Sequence, residues 1–104
     1  MKILLTGATG YIAKNLLPGL LASGHEVVCC VRDKQRFEPS RYHSHRISTV
    51  QVDFLDLSTL SNIPPDIDAA YYLIHSMSAS LDQFELLEKT SAENFVNVMS
   101  ETKV

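Results

Sequence analysis

Four apolar runs along the chain have the length of strands, and two longer stretches carry helical spacing. Ile3, Leu4 and Leu5 lie in a short run from Lys2 to Thr6 that ends at Gly7, which predicts a strand buried on both faces. From Tyr11 the period changes. Ile12, Leu16, Leu17, Leu20 and Leu21 recur at three- and four-residue spacing and predict a helix closed by Ser23-Gly24. Pro18 lies inside it, removes one backbone donor and predicts a kink. Glu26 to Val31 reads as a second buried strand, and Asp33 to Arg46 is polar and irregular. Ile47 to Phe54 alternates apolar and polar residues and predicts a third strand. Asp56 to Leu60 predicts a helical turn, Pro64-Pro65 a break, and Ala69 to Ile74 a fourth strand. Ser80 with Gln83 has the form of a capping box. The helix it opens should run to about Glu101, with Phe84, Leu87, Ser91, Phe95 and Val98 on its inner face.

Apolar strands alternating with crossovers predict an α/β fold with helices on both faces of a parallel sheet. Right-handed crossovers give strand order 3-2-1-4, the first half of a doubly wound fold plus its switch point. Ligands in such folds bind beyond the carboxyl ends of the strands. Functional residues are therefore expected at 6–13, 31–36, 53–54 and 74–78. The 104 residues are one domain's worth of sequence, and 45% hydrophobic content excludes disorder as the main state. No apolar run approaches a membrane span, and no signal peptide is expected.

The net charge of -3 argues against nucleic acid as the main partner. Its distribution is uneven. Arg32, Lys34, Arg36, Arg41 and Arg46 face only Asp33 and Glu38 within residues 32–46, whereas residues 47–104 are strongly acidic. Such a local positive excess suits a small anion, although a solvated loop is the first reading of it. Cys29 and Cys30 are adjacent, so on a strand they point to opposite faces and cannot bridge without strain. Two reduced, buried thiols fit a cytoplasmic protein.

Thr6-Gly7-Ala8-Thr9-Gly10-Tyr11-Ile12-Ala13 joins the first strand to the first helix, where a phosphate-binding turn belongs. Gly7 can take the tight turn, Gly10 lets the backbone approach a pyrophosphate, and Ala13 allows close helix–strand packing. Free N–H groups at the helix start and the positive end of its dipole would face the phosphates. Dinucleotide binding is the function this arrangement predicts.

The same segment resembles the cofactor fingerprint of the extended and atypical short-chain dehydrogenase/reductases, a group that includes epimerase-like and NmrA-like proteins with Rossmann domains. Gly24-His25-Glu26-Val27, Asp53-Phe54, Tyr71 to Met77 and Asn94-Phe95 are similar to that family as well. The resemblance implies cofactor contacts from Gly7, Thr9, Gly10, Tyr11, Ile12, Arg32, Asp53, Phe54 and His75. Of these, Asp53 would accept from the adenine amine, Phe54 would offer its backbone, and His75 would line the ribose or nicotinamide side. Asp53 reads equally as a strand end, and His75 as a hydrogen-bonded structural histidine. The family's catalytic Tyr-x-x-x-Lys pair is not found. Four residues after Tyr11, Tyr42, Tyr71 and Tyr72 stand Asn15, Arg46, His75 and Ser76. The resemblance places that pair, a fifth strand and the substrate half beyond Val104, so the chain reads as a partial Rossmann half-domain.

Alignment to the family puts the ribose-binding acid of NAD sites at Val31, followed by Arg32; that is the family's NADP pattern, supported by Arg36. Asp33 is the contrary sign, since a shift of register would place it on the ribose. NADP is favoured over NAD. His43-Ser44-His45 lacks a carboxylate or thiolate at ligand spacing, so no metal is expected. Tyr71 and Tyr72 read as core and helix contacts. Two functions follow from the resemblance: the NADP-binding part of a reductase or epimerase-like enzyme, or a non-catalytic NADP-sensing or protein-interaction module. An open edge on the fourth strand would favour self-association.

Overall fold

The computed structural model describes residues 1–8, 10–42, 46–73 and 81–102, with no side-chain account of residues 40, 41 and 81–88. Its elements run β1 (Lys2–Leu5), α1 (Tyr11–Ala22), β2 (Glu26–Val31), β3 (Ile47–Gln51), β4 (Ala69–Tyr71) and α2 (Leu81–Met99). Short 3-10 turns cover Lys34–Arg36, Pro39–Tyr42 and Leu57–Asn62. The four strands form one parallel sheet in the order β3-β2-β1-β4. This is the predicted α/β order, with β1 and β2 in the middle of the sheet.

The central strands are apolar on both faces because both faces are covered. Ile3, Leu5, Val27, Cys29 and Val31 point to a core shared with Ala13, Leu17 and Leu20 of α1. Leu4, Val28 and Cys30 point to the other core, shared with Val52, Phe54, Ile63, Ile67 and Met99. Cys29 and Cys30 thus fall on opposite faces, as neighbours on a strand must. Burial pushes both thiols up to about 12, with Cys29 adding to the shift at Cys30.

The helix α1 is unbroken through Pro18, which sits on its exposed side. Its buried stripe is Ala13, Leu17 and Leu20, at i, i+4 and i+7. Ile12 lies at the margin of that stripe and is 56% exposed, contrary to its expected place on the inner face. The helix ends as predicted: the Gly24 N–H bonds the Leu21 carbonyl, the His25 N–H bonds that of Leu20, and Gly24 takes a positive φ of 85°.

Two strands are shorter than their apolar patterns. The register of β3 on β2 ends at Gln51, with a last bond from the Val52 N–H to the Val31 carbonyl at 2.9 Å, and Phe54 continues into the core beyond it. Beyond β4, Leu73 leaves the ladder. Its N–H donates to Thr6 Oγ1 at 2.8 Å, while that hydroxyl donates to the Tyr71 carbonyl at 2.7 Å. Tyr71 is 39% exposed rather than in the core, whereas Tyr72 packs on Phe54 and Phe95 and hydrogen-bonds Ser91. On α2, Ser91, Phe95 and Val98 face inward as expected, and Met99 joins them. Phe84, Leu87 and the Ser80 cap lie outside what is described, as do His43 and His45. No described helix is long and apolar enough to cross a membrane.

Candidate cofactor site

The carboxyl ends of all four strands lie at one edge of the sheet, because the strands are parallel. Gly7 follows β1, Arg32 follows β2, Asp53 follows β3 and Leu73 follows β4. The predicted site residues are thereby gathered on one side of the molecule by topology alone.

Gly7 has φ of 63°, a backbone conformation that side chains disfavour. Its carbonyl accepts from the Gly10 N–H at 2.9 Å, which closes a turn between strand and helix. Gly10 is the helix N-cap, in extended conformation, and no side chain caps the helix. The first turn holds no acidic residue. The helix start therefore offers backbone N–H groups and a positive dipole end, with no carboxylate of its own first turn beside them. Tyr11 and Ile12 stand at this end, and Tyr11 is 82% exposed. Thr9 and His75 lie outside the described residues.

A cleft of about 400 Å³ beyond β2 and β3 is lined by Arg32, Asp33, Arg36 and Asp53. Two arginines and two carboxylates share it, but they are not equivalent. Asp33 Oδ1 accepts the Gln35 N–H at 3.0 Å, and its Oδ2 lies 3.8 Å from Arg36 Nε. Asp33 is thus turned toward its own 3-10 turn as the N-cap. Arg32 is exposed and makes no ion pair among the described residues. Arg36 lies in the 3-10 turn that follows β2 and lines the same cleft.

Asp53 and Phe54 divide between cleft and core. The Phe54 ring is buried between Tyr72 and Phe95, with ring centroids 6.2 and 5.6 Å away, so only its backbone is available to a ligand. Asp53 lines the cleft, yet its Oδ1 already accepts the Leu55 N–H at 3.0 Å. Its backbone is held by Thr59, whose Oγ1 accepts from the Asp53 N–H at 2.9 Å. The Phe54 carbonyl accepts from Asn94 Nδ2 on α2 at 2.6 Å. Reading the residues alone finds neither Thr59 nor Asn94 in these roles, since nothing in their spacing links them to residues 53–54.

Chemically, the arrangement supplies backbone donors at a helix start, exposed guanidinium groups at the end of β2, and a carboxylate with a peptide N–H at the end of β3. Those are donors for a pyrophosphate, a charged partner for a further phosphate, and a paired acceptor and donor for a base edge.

Comparison with solved structures gives the same fold at low identity. A nucleoside-diphosphate-sugar epimerase from Staphylococcus aureus superposes with a TM-score of 0.75 at 20% identity, over 100% of this chain and 35% of that one. UDP-N-acetylglucosamine 4-epimerase from Bacillus cereus gives 0.75 at 18%, over 100% and 32%. Yeast methylglyoxal/isovaleraldehyde reductase, solved with NADPH, gives 0.76 at 14%, over 99% and 34%. This chain spans about a third of the length of each of these proteins. No curated protein matches the sequence. A family described as NAD(P)H-binding matches residues 7–104, the stretch that holds the glycine turn, the cleft and both helices, and the chain belongs to that family.

Proposed function

We propose that this chain is the NADP-preferring dinucleotide-binding part of a reductase or epimerase-like protein of the short-chain dehydrogenase/reductase type. The observation that carries the preference is the division of labour at the end of β2. Asp33 caps its own turn and faces Arg36, while Arg32 stays exposed at the cleft. An acid committed in this way is poorly disposed to take both ribose hydroxyls, and an exposed guanidinium suits a 2′-phosphate.

In this reading the pyrophosphate sits on the turn from Gly7 to Gly10, with Thr9, Tyr11 and Ile12 around it. Arg32 takes the 2′-phosphate. Asp53 accepts from the adenine amine and Phe54 offers its N–H beside it. His75 lines the ribose or nicotinamide side. The protein works in the cytoplasm, where NADP and reduced thiols coexist. Any second partner is another copy of the chain, paired along the outer edge of β4. Calorimetric titration with NADPH and NADH tests the preference. Tighter binding of NADPH is expected, and equal or tighter binding of NADH contradicts it.

A further inference from the structure

We propose that Asn94 is a positioning residue for the adenine end of the cleft, acting on the Asp53 carboxylate through the single peptide group between Phe54 and Leu55. The inference rests on the reading of Asp53 as the adenine contact.

The geometry is a short relay. Asn94 Nδ2 donates to the Phe54 carbonyl at 2.6 Å. The Leu55 N–H donates to Asp53 Oδ1 at 3.0 Å. That carbonyl and that N–H are the two ends of one planar peptide group, so neither can turn without the other. Holding the carbonyl fixes the direction of the N–H, and the N–H fixes which carboxylate oxygen is committed. The remaining oxygen, Oδ2, makes no hydrogen bond among the described residues and is left for a base.

Thr59 serves a different end of the same residue. Its Oγ1 accepts from the Asp53 N–H at 2.9 Å and lies 2.9 Å from the Asp53 carbonyl, so it locates the backbone of residue 53. Asn94 sets the aim of the side chain. The Phe54 carbonyl can only accept, so it is the amide nitrogen of Asn94, and not its oxygen, that faces it. The platform beneath it is rigid. One turn before Asn94, the buried Ser91 bonds the Tyr72 hydroxyl, and the next residue, Phe95, packs edge-on against Phe54. A helix on one face of the sheet thereby orients a carboxylate in a cleft formed beyond β2 and β3.

The test uses Asn94→Ala and the near-isosteric Asn94→Asp, which keeps the volume but replaces the donor with an acceptor. Each is titrated with NADPH and with its hypoxanthine analogue, whose base carries an oxygen in place of the amine. The parent chain should bind NADPH roughly tenfold more tightly than the analogue, the loss expected for one hydrogen bond to a charged group. Both variants should bring that ratio to within about twofold, by losing NADPH affinity while affinity for the analogue is nearly kept. A role in folding alone would lower both affinities by the same factor; an unchanged ratio in both variants overturns the proposal. If the parent chain shows no preference for adenine, or binds neither ligand, the Asp53 reading fails and the proposal falls with it. Amide exchange without ligand reads the relay directly. In Asn94→Asp the Leu55 amide should exchange faster while the Asp53 amide, held by Thr59, does not. Unchanged protection at Leu55 also overturns the proposal.

Discussion

An alanine Cβ built at Gly7 would lie 2.5 Å from the carbonyl oxygen of Leu73 and 3.0 Å from its carbonyl carbon. Gly7 is therefore required twice, by its positive φ and by the backbone that leaves β4. Thr6 explains why that backbone passes so close, since its hydroxyl draws Tyr71 and Leu73 against the end of β1. Gly10 differs. Among the described residues, a Cβ there meets the Gly7 carbonyl alone, at 3.2 Å.

The two glycines should accordingly fail in different ways. Gly7→Ala should destabilise the chain by about 2 kcal/mol or more, the order expected for a strained backbone plus a close contact with main chain. A urea melt checks it. A loss below about 0.5 kcal/mol would mean that Leu73 moves aside without resistance.

Arg32→Ala should weaken NADPH binding by about ten- to a hundredfold, the range for one charge-assisted hydrogen bond, and leave NADH binding nearly unchanged. Paired titrations of the two cofactors measure it. An equal fall for both would remove Arg32 as the discriminator and return Asp33 as the ribose partner.

The buried thiols give a pH dependence with a definite sign. Cys29 and Cys30 titrate at about 12 in the fold, against an ordinary value of 9.0. Between those values the unfolded chain releases protons that the folded chain retains, so stability is full below about pH 9 and falls as pH rises toward 12. The raised pKa of Lys2, chiefly from its hydrogen bond to Asp66, acts in the same direction above its ordinary 10.5. Urea melts from pH 8 to 11 should show a steady decline that shrinks in the variant with Cys29→Ala and Cys30→Ala. Rising stability over that range would contradict burial of both thiols.

Among the described residues, β4 pairs only with β1, and its last residue, Tyr71, is partly exposed. An open apolar edge is a template for pairing with another chain. The 104-residue chain should self-associate or be only marginally stable. Light scattering and urea melts at two protein concentrations check this. A monodisperse monomer with a cooperative, concentration-independent transition and several kcal/mol of stability would show that the edge is covered.

How much of this was legible in the residues depends on whether the deciding force was local. The central strands were legible because burial on both faces writes a continuous apolar run, as in Val27 to Val31. The order of the sheet followed from the handedness of its crossovers. Strand ends were not legible. Val52 and Phe54 keep the alternation of β3, but Asp53 binds the Leu55 N–H, and the last bond to β2 is made by the Val52 N–H. Leu73 likewise keeps its apolar pattern while a side chain, Thr6, replaces its ladder partner. Ile12 fits the helical spacing but lies beside the buried stripe, a difference of one position that periodicity does not resolve. The glycine turn was legible because strand, glycines and helix are contiguous. The Asn94 tether spans 40 residues and is set by how α2 packs, so it needed the fold.

The most direct test of dinucleotide binding at the glycine turn is a fluorescence titration of the chain and of Gly10→Val with NADPH. The Cβ of a valine there would press on the Gly7 carbonyl oxygen at 3.2 Å, and its side chain would fill the space through which a pyrophosphate approaches the helix start. Saturable binding by the parent chain and a loss of at least tenfold in the variant are expected, with both proteins folded by circular dichroism. Equal affinity in the two would contradict a phosphate turn at Gly7 to Gly10 and, with it, dinucleotide binding at this helix start.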